Sequence, residues 1–299
     1  MIEIKSIPDL SPQLIKASEN KKLAIFIGAG MSRFVGCNSW GRLAETLLEK
    51  CESEKLINNF ERTVLSQSND FKKTITICNH LLEKDERFLD EMKKSLNDDK
   101  VGHEDIDLSV YRDLYSLNGL FITTNADRHI DQVFENDNIL IEGFNTSTKI
   151  DNHHLYKIHG SITDSKSLIF TVEGYLRRYT DEEFASFLKV IFAKYTVLFV
   201  GYGLAEFELM DYLFKSIGFS GNKHFFLKDY FTHEQRIYEF DQIYFDDLGI
   251  NLIPYSKDKN GFKQLPIIIN KWVDEIKAKS FVPMVNYADI DDALEHPDE

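Results

Sequence analysis

The sequence predicts an α/β protein: a parallel β-sheet with helices on both faces and a small helical insertion. Apolar runs of strand type, Leu23 to Gly28, Gly119 to Thr124 and Thr196 to Gly201, alternate with segments of helical periodicity. These runs lack the in-and-out alternation of a half-exposed strand, as expected of strands buried on both faces. Two of them stop at glycine, the punctuation of a strand that turns sharply into a following segment.

Taken in order, Leu10 to Lys22 reads as a short amphipathic helix, with Leu14, Ile15 and Ala17 on one side. Leu23 to Gly28 is the first strand, and Ala29-Gly30-Met31-Ser32 is its turn. Ser39 is a helix cap ahead of Leu43, Leu47 and Leu48, which recur at helical spacing. From Glu52 to Lys100 the chain is polar, with Phe60, Val64, Ile77, Leu81, Phe88, Met92 and Leu96 at helical intervals, so two or three helices are expected as an insertion. Gly119 to Thr124 is the second strand, followed by a helix from Asp127 through Phe134. Leu155 to Gly160 and Leu168 to Thr171 read as further short strands, and Glu173 to Arg178 and Asp181 to Lys194 as helices. Thr196 to Gly201 is the strongest buried strand. After it come a helix at Glu206 to Ser216, a strand at His224 to Leu227, a helix at His233 to Leu248, a strand at Ile250 to Pro254 and a helix at Phe262 to Lys277. This alternation predicts a Rossmann-like sheet in one domain, residues 1–279, with the insertion at about 52–118. Residues 280–299 form an acidic tail, with Asp289, Asp291, Asp292, Glu295, Asp298 and Glu299 and neither Lys nor Arg.

A formal charge of −14 opposes a broad phosphate-neutralising surface, so nucleic acid is not expected as a direct ligand. No stretch reaches the ~18–20 apolar residues of a membrane span, and the first residues lack a secretory layout, so a cytoplasmic location is expected. Cys37, Cys51 and Cys78 are odd in number and scattered, which fits reduced thiols. Without a Cys-x-x-Cys pair, no zinc module of that type and no other metal site is expected.

Polar side chains gather where the predicted strands end, the side on which doubly wound sheets bind ligands. They are Ser32 after the first strand, Thr123, Thr124, Asn125 and Asp127 after the second, His159 after the third, and Tyr202 after Gly201. The glycine turn reads either as plain punctuation or as a phosphate-facing bend, in which Gly28 and Gly30 admit close ligand approach and positive φ. Asn125 and Asp127 are both cap-type residues competing for one helix start, so one is spare. An uncharged amide can hold a ribose hydroxyl or a water without adding charge. His159 reads either as a structural histidine bonded to a carbonyl or as a general base, with an ordinary pKa of ~6.5 suited to that task. His129 and the His153-His154 pair lack partners at metal spacing and read as structural, while Asp131 and Asp164 orient neighbours or sit in solvated turns.

Gly28-Ala29-Gly30-Met31-Ser32, Thr123-Thr124-Asn125-Ala126-Asp127 with Asp131, Ile158-His159-Gly160 and Phe199-Val200-Gly201-Tyr202-Gly203 together resemble the sirtuin family, more closely its bacterial antiviral branch than the deacylating one. The resemblance covers roughly residues 20 to 215. It implies an NAD site in which Gly28, Ala29, Gly30 and Ser32 lie at the pyrophosphate and Thr124, Gly201 and Tyr202 complete the binding surface. Asn125 and Asp127 would lie near the nicotinamide ribose, with His159 as the catalytic base. The chain departs from the deacylating branch by lacking paired cysteines. It also carries Ala126 where the antiviral branch often has an aromatic residue.

The implied reaction is hydrolysis of NAD, the substrate, to nicotinamide and ADP-ribose in abortive-infection defence. The activity is expected to be held in check until a protein partner acting as sensor, or oligomerisation, activates it. Two alternatives stand beside it: a non-catalytic NAD- or ADP-ribose-binding regulatory subunit, and an NAD-dependent protein deacylase. A hydride-transferring dehydrogenase is disfavoured, because Met31-Ser32-Arg33 breaks the G-x-G-x-x-G pattern.

Overall fold

The computed structural model describes residues 3–68, 70–82, 86–134, 150, 154–202 and 224–280, and the structural statements below concern these residues. Six strands form one sheet: β1 (Leu23–Ile27), β2 (Leu120–Thr123), β3 (Leu155–Lys157), β4 (Thr196–Val200), β5 (His224–Tyr230) and β6 (Ile250–Ser256). Their spatial order is β3-β2-β1-β4-β5-β6, and all five neighbouring pairs are parallel. This is the doubly wound Rossmann-like order, and its direction reverses between β1 and β4.

Strand composition follows from position. Every residue of β1 is fully buried or nearly so, because both faces of this central strand are covered. Ile25 and Ile27 face one layer, made by α1 (Pro12–Glu19), α7 (Ser109–Tyr115) and the helix Gln264–Ser280. Ala24 and Phe26 face the other, made by α9 (Glu182–Lys194) and the helix Gln235–Asp247. Pro254 is tolerated because β6 is an edge strand, where the missing N–H breaks no outer ladder. Trp272, fully buried in the first layer, satisfies its indole N–H on the Pro8 carbonyl at 2.9 Å.

A third core lies beyond the carboxyl ends of β1 and β2. It joins α3 (Trp40–Ser53), α5 (Phe71–Leu81) and α6 (Glu86–Ser95) through Leu43, Leu47, Ile75, Cys78 and Met92, and it reaches Ala126, Ile162 and Phe170. Ser39 caps α3 as expected, its Oγ accepting from Arg42 N, and Asn58 with Glu61 makes a reciprocal capping box on α4 (Asn59–Gln67). Three helices thus occupy the polar stretch from Glu52 to Lys100. All three cysteines are buried free thiols.

Two expected elements are absent from the fold. Only a 3₁₀ turn, Ile130–Val133, stands where a helix from Asp127 through Phe134 was expected; the Asp127 carbonyl, which a first helical turn would use, accepts from Lys157 Nζ instead. Leu168 to Thr171 is not a strand. Ile169 N donates to the His159 carbonyl and Thr171 caps α8 (Val172–Tyr179), which spends the segment on a loop and a helix start. The expected helix at Glu206 to Ser216 and the acidic tail lie outside the described residues. No helix among the described residues is long and apolar enough to cross a membrane.

Candidate functional site

Where β1 ends, Gly28 begins a four-residue helical turn, α2 (Ala29–Ser32), which continues into a 3₁₀ turn, Arg33–Val35. A Cβ on Gly28 would stand 2.6 Å from the Gly201 carbonyl oxygen, and one on Gly30 would stand 2.7 Å from the same atom. Gly28 N donates to the Val200 carbonyl and Gly30 N to the Gly201 carbonyl. The two glycines therefore let the ends of β1 and β4 close on each other at the switch point. This corrects the expectation that they open the turn to a pyrophosphate through positive φ: Gly28 has φ −95°, and both amides are already engaged. Positive φ belongs instead to Gly201, at +70°, and to Gly160, at +77°. At Gly201 an added Cβ would also strike Met31.

At the end of β2, Thr123 Oγ1 donates to the Ile27 carbonyl at 2.8 Å and accepts from Asn125 N at 3.0 Å, tying the strand end to β1. Asn125 Nδ2 donates to the Gly28 carbonyl at 3.0 Å and to Ser32 Oγ at 2.8 Å. Ser32 Oγ in turn donates to Asp127 Oδ2 at 2.5 Å, and Asp127 Oδ1 accepts from His129 N at 3.1 Å. This network sets the flip of the amide, since both N–H groups of Asn125 are consumed. Its Oδ1 is left buried without a partner among the described residues. A buried acceptor without a donor is costly unless a ligand supplies one.

The loop is held from below by Lys157, fully buried, whose Nζ donates to the Asp127 carbonyl at 2.6 Å and to both Asp131 oxygens at 2.9 and 3.0 Å. Burial pushes the Asp131 carboxyl up from its ordinary range, and the Lys157 charge opposes that shift. Sequence reading singled out Asp131 and missed Lys157. The only available signal was a lysine inside an apolar strand, which demands a buried anion opposite it.

Strand register pairs Thr123 with Lys157, so Asn125 and His159 each stand two residues beyond a matched pair on adjacent strands. The imidazole of His159 does not bond the Asn125 cluster. Its Nε2 lies 2.9 Å from the Tyr179 hydroxyl, its ring meets Tyr175 and Tyr179 edge-on, and Nδ1 has no partner among the described residues. Burial first, then the nearby Arg178 and Lys72 charges, lowers its pKa to about 3. The expectation of an ordinary near-neutral base is thereby corrected: the ring is neutral across the physiological range.

Ala29, Ser32, Thr124, Asn125, Ala126 and Asp127 line one cavity together with Trp40 and Phe170 from the helical side. Tyr202 borders it through a 3.4 Å contact between its hydroxyl and Thr124 Oγ1. His129 Nε2 meets the Asn97 carbonyl at 3.0 Å, a structural role, and Asp164 closes a turn by accepting from Lys166 N.

Residues 119–253 match the family model described as the SIR2-like domain. Over that segment the chain is similar to the SIR2-like domain. The matched segment runs from the start of β2 to β6 and includes Asn125, Asp127, Lys157, His159 and Gly201, while the turn after β1 precedes it. The chain is also 22% identical over 269 residues to Defense-associated sirtuin 2 of Bacillus subtilis, an alignment covering 85% of this chain and 25% of that protein. It thus spans about a quarter of the length of that relative. The cavity beyond β2 thus holds the Asn125 amide with its unanswered oxygen, whereas the His159 imidazole, on the neighbouring strand end, packs against Tyr175 and Tyr179 and does not line it.

Proposed function

We propose that the chain is an NAD glycohydrolase of antiphage defence, cleaving NAD to nicotinamide and ADP-ribose when a protein partner or self-assembly completes its site. The observation that carries this reading is Asn125, whose amide hydrogens are both spent on the protein while its buried oxygen has no donor. A ribose hydroxyl or a bound water supplies that donor. The name of the relative supports the defence setting, and the SIR2-like domain supports NAD as substrate.

The fit to NAD is uneven. The amide oxygen and the imidazole Nδ1 suit the reacting end. The Gly28 and Gly30 amides do not suit the pyrophosphate, so its contacts fall to Ala29, Ser32 and other groups of the crevice.

In the proposed reaction a water oxygen bonds to the anomeric carbon as the nicotinamide–ribose bond breaks. The bonding pair leaves with nicotinamide, and one proton is released from the water. Asn125 orients the sugar or the water without adding charge to an oxocarbenium-like state. Ser32 and Asp127 act through Asn125 by holding its flip. In the tautomer that carries its proton on Nε2, facing the Tyr179 hydroxyl at 2.9 Å, His159 Nδ1 keeps the lone pair that takes the departing proton.

A second reading draws on the low basicity of His159: a module that binds NAD or ADP-ribose without chemistry. Incubation of the chain with NAD, alone and with its genomic neighbour, separates the two by chromatography. Equimolar nicotinamide and ADP-ribose support hydrolysis, and saturable binding without products supports the module. NAD-dependent loss of the acyl group from an acyl-lysine peptide, with nicotinamide released and the acyl group carried off on ADP-ribose, would favour the deacylase instead.

A further inference from the structure

A second cavity, of about 330 Å³, is lined by Asp164, Lys166, Ser167, Ile169, Arg177, Arg178 and Asp181, and shares no residue with the cavity beside Asn125. It lies between the loop that follows His159 and the end of α8, and nothing in the proposed hydrolysis uses it.

Three cations meet here in a chain whose formal charge is −14. The two carboxylates among them have local work. Asp164 accepts from the Lys166 amide and Asp181 from the Phe184 amide, as the N-cap of α9. The helix dipole of α8 accounts for basic residues in its last turn, where Arg177 and Arg178 stand. It does not account for Lys166, which reaches the same space from a different element. Arg178 is half-buried and its guanidinium lies over the Phe184 ring, so one charge of the three is held in place and partly stripped of water. Burial, ahead of the opposing Asp181 charge, makes its protonated form harder to keep than usual.

We propose that this cavity binds the phosphate end of a small phosphorylated molecule, with Lys166, Arg177 and Arg178 as its ligands. A guanidinium fork matches two phosphate oxygens, a lysine adds a point charge, and the volume suits a small metabolite rather than a bare ion. Occupancy would bear on His159 from two sides. The loop is bonded to its carbonyl through Ile169 N at 3.1 Å, and α8 carries the Tyr179 hydroxyl that meets its Nε2.

The test is calorimetric titration of the whole chain with inorganic pyrophosphate at low ionic strength. The wild type should bind saturably. Lys166→Gln with Arg177→Gln, two exposed positions, should weaken binding at least tenfold, and Lys166→Arg with Arg177→Lys should retain most of it. Asn125→Ala should bind pyrophosphate as the wild type does. Absence of binding at millimolar pyrophosphate, equal affinity in the glutamine variant, or loss of affinity in Asn125→Ala would each overturn the proposal. None of these readouts depends on NAD cleavage, so this site and the hydrolase reading fail separately.

Discussion

Asn125 is defined by what its neighbours leave over. Ser32 takes one of its amide hydrogens and the Gly28 carbonyl the other, so Ser32 decides which end of the amide faces the cavity. Ser32→Ala removes that acceptor and frees Asp127 Oδ2, and the amide gains freedom to turn. Nicotinamide release should then fall on the order of 10–100-fold in kcat, as misplacement of a positioned group predicts. Steady-state kinetics of the variant checks this. His159 gives a separate expectation. Because burial and the Arg178 and Lys72 charges hold its pKa at about 3, kcat/KM should stay level from pH 7 down to about pH 5. An acid limb centred near 6.5 would show a solvated imidazole instead.

The strand-end loop after β2 rests on the buried Lys157–Asp131 pair. Lys157→Met leaves the Asp131 carboxylate buried without its cation and removes the donor to the Asp127 carbonyl. The loss should be roughly 3–5 kcal/mol, and Lys157→Met with Asp131→Leu should recover much of it, since paired removal leaves no stranded charge. Denaturant unfolding of the three proteins measures both. Elements like this one explain how far sequence reading reaches. The central strands were legible because burial on both faces forces unbroken apolar runs, and Ser39 announced its helix by cap chemistry. At Asp127, where a helix was expected to begin, a tertiary bond from Lys157 takes the backbone carbonyl that a first helical turn would use. Gly28 and Gly30 were recognised as special for the wrong cause. The neighbour that crowds them, Gly201, lies about 170 residues away, a contact no local pattern encodes.

Across the molecule, two buried histidines tie stability to pH. His159 and His224 have pKa values lowered to about 3 and about 4, chiefly by burial, while the unfolded chain titrates near 6.5. Between these limits the unfolded state binds the protons and the folded state does not, so stability is highest above pH 6.5 and falls as pH drops. Each histidine contributes a slope of about 1.4 kcal/mol per pH unit, and thermal denaturation midpoints from pH 7 to pH 5 should decline accordingly. His224→Gln should flatten part of that decline. Its Nδ1 accepts from Val197 N across β4 and β5, so glutamine can keep the bond while removing the titration. The proposed function centres on the crevice beyond β1 and β2, which Asn125 lines with its unanswered oxygen. Nicotinamide release by the wild type and by Asn125→Ala, each alone and with the genomic neighbour, tests this most directly. The account predicts release by the wild type in at least one condition and by Asn125→Ala in neither, with denaturation midpoints of the two proteins close together. Undiminished release by Asn125→Ala, or none by the wild type in either condition, would contradict it.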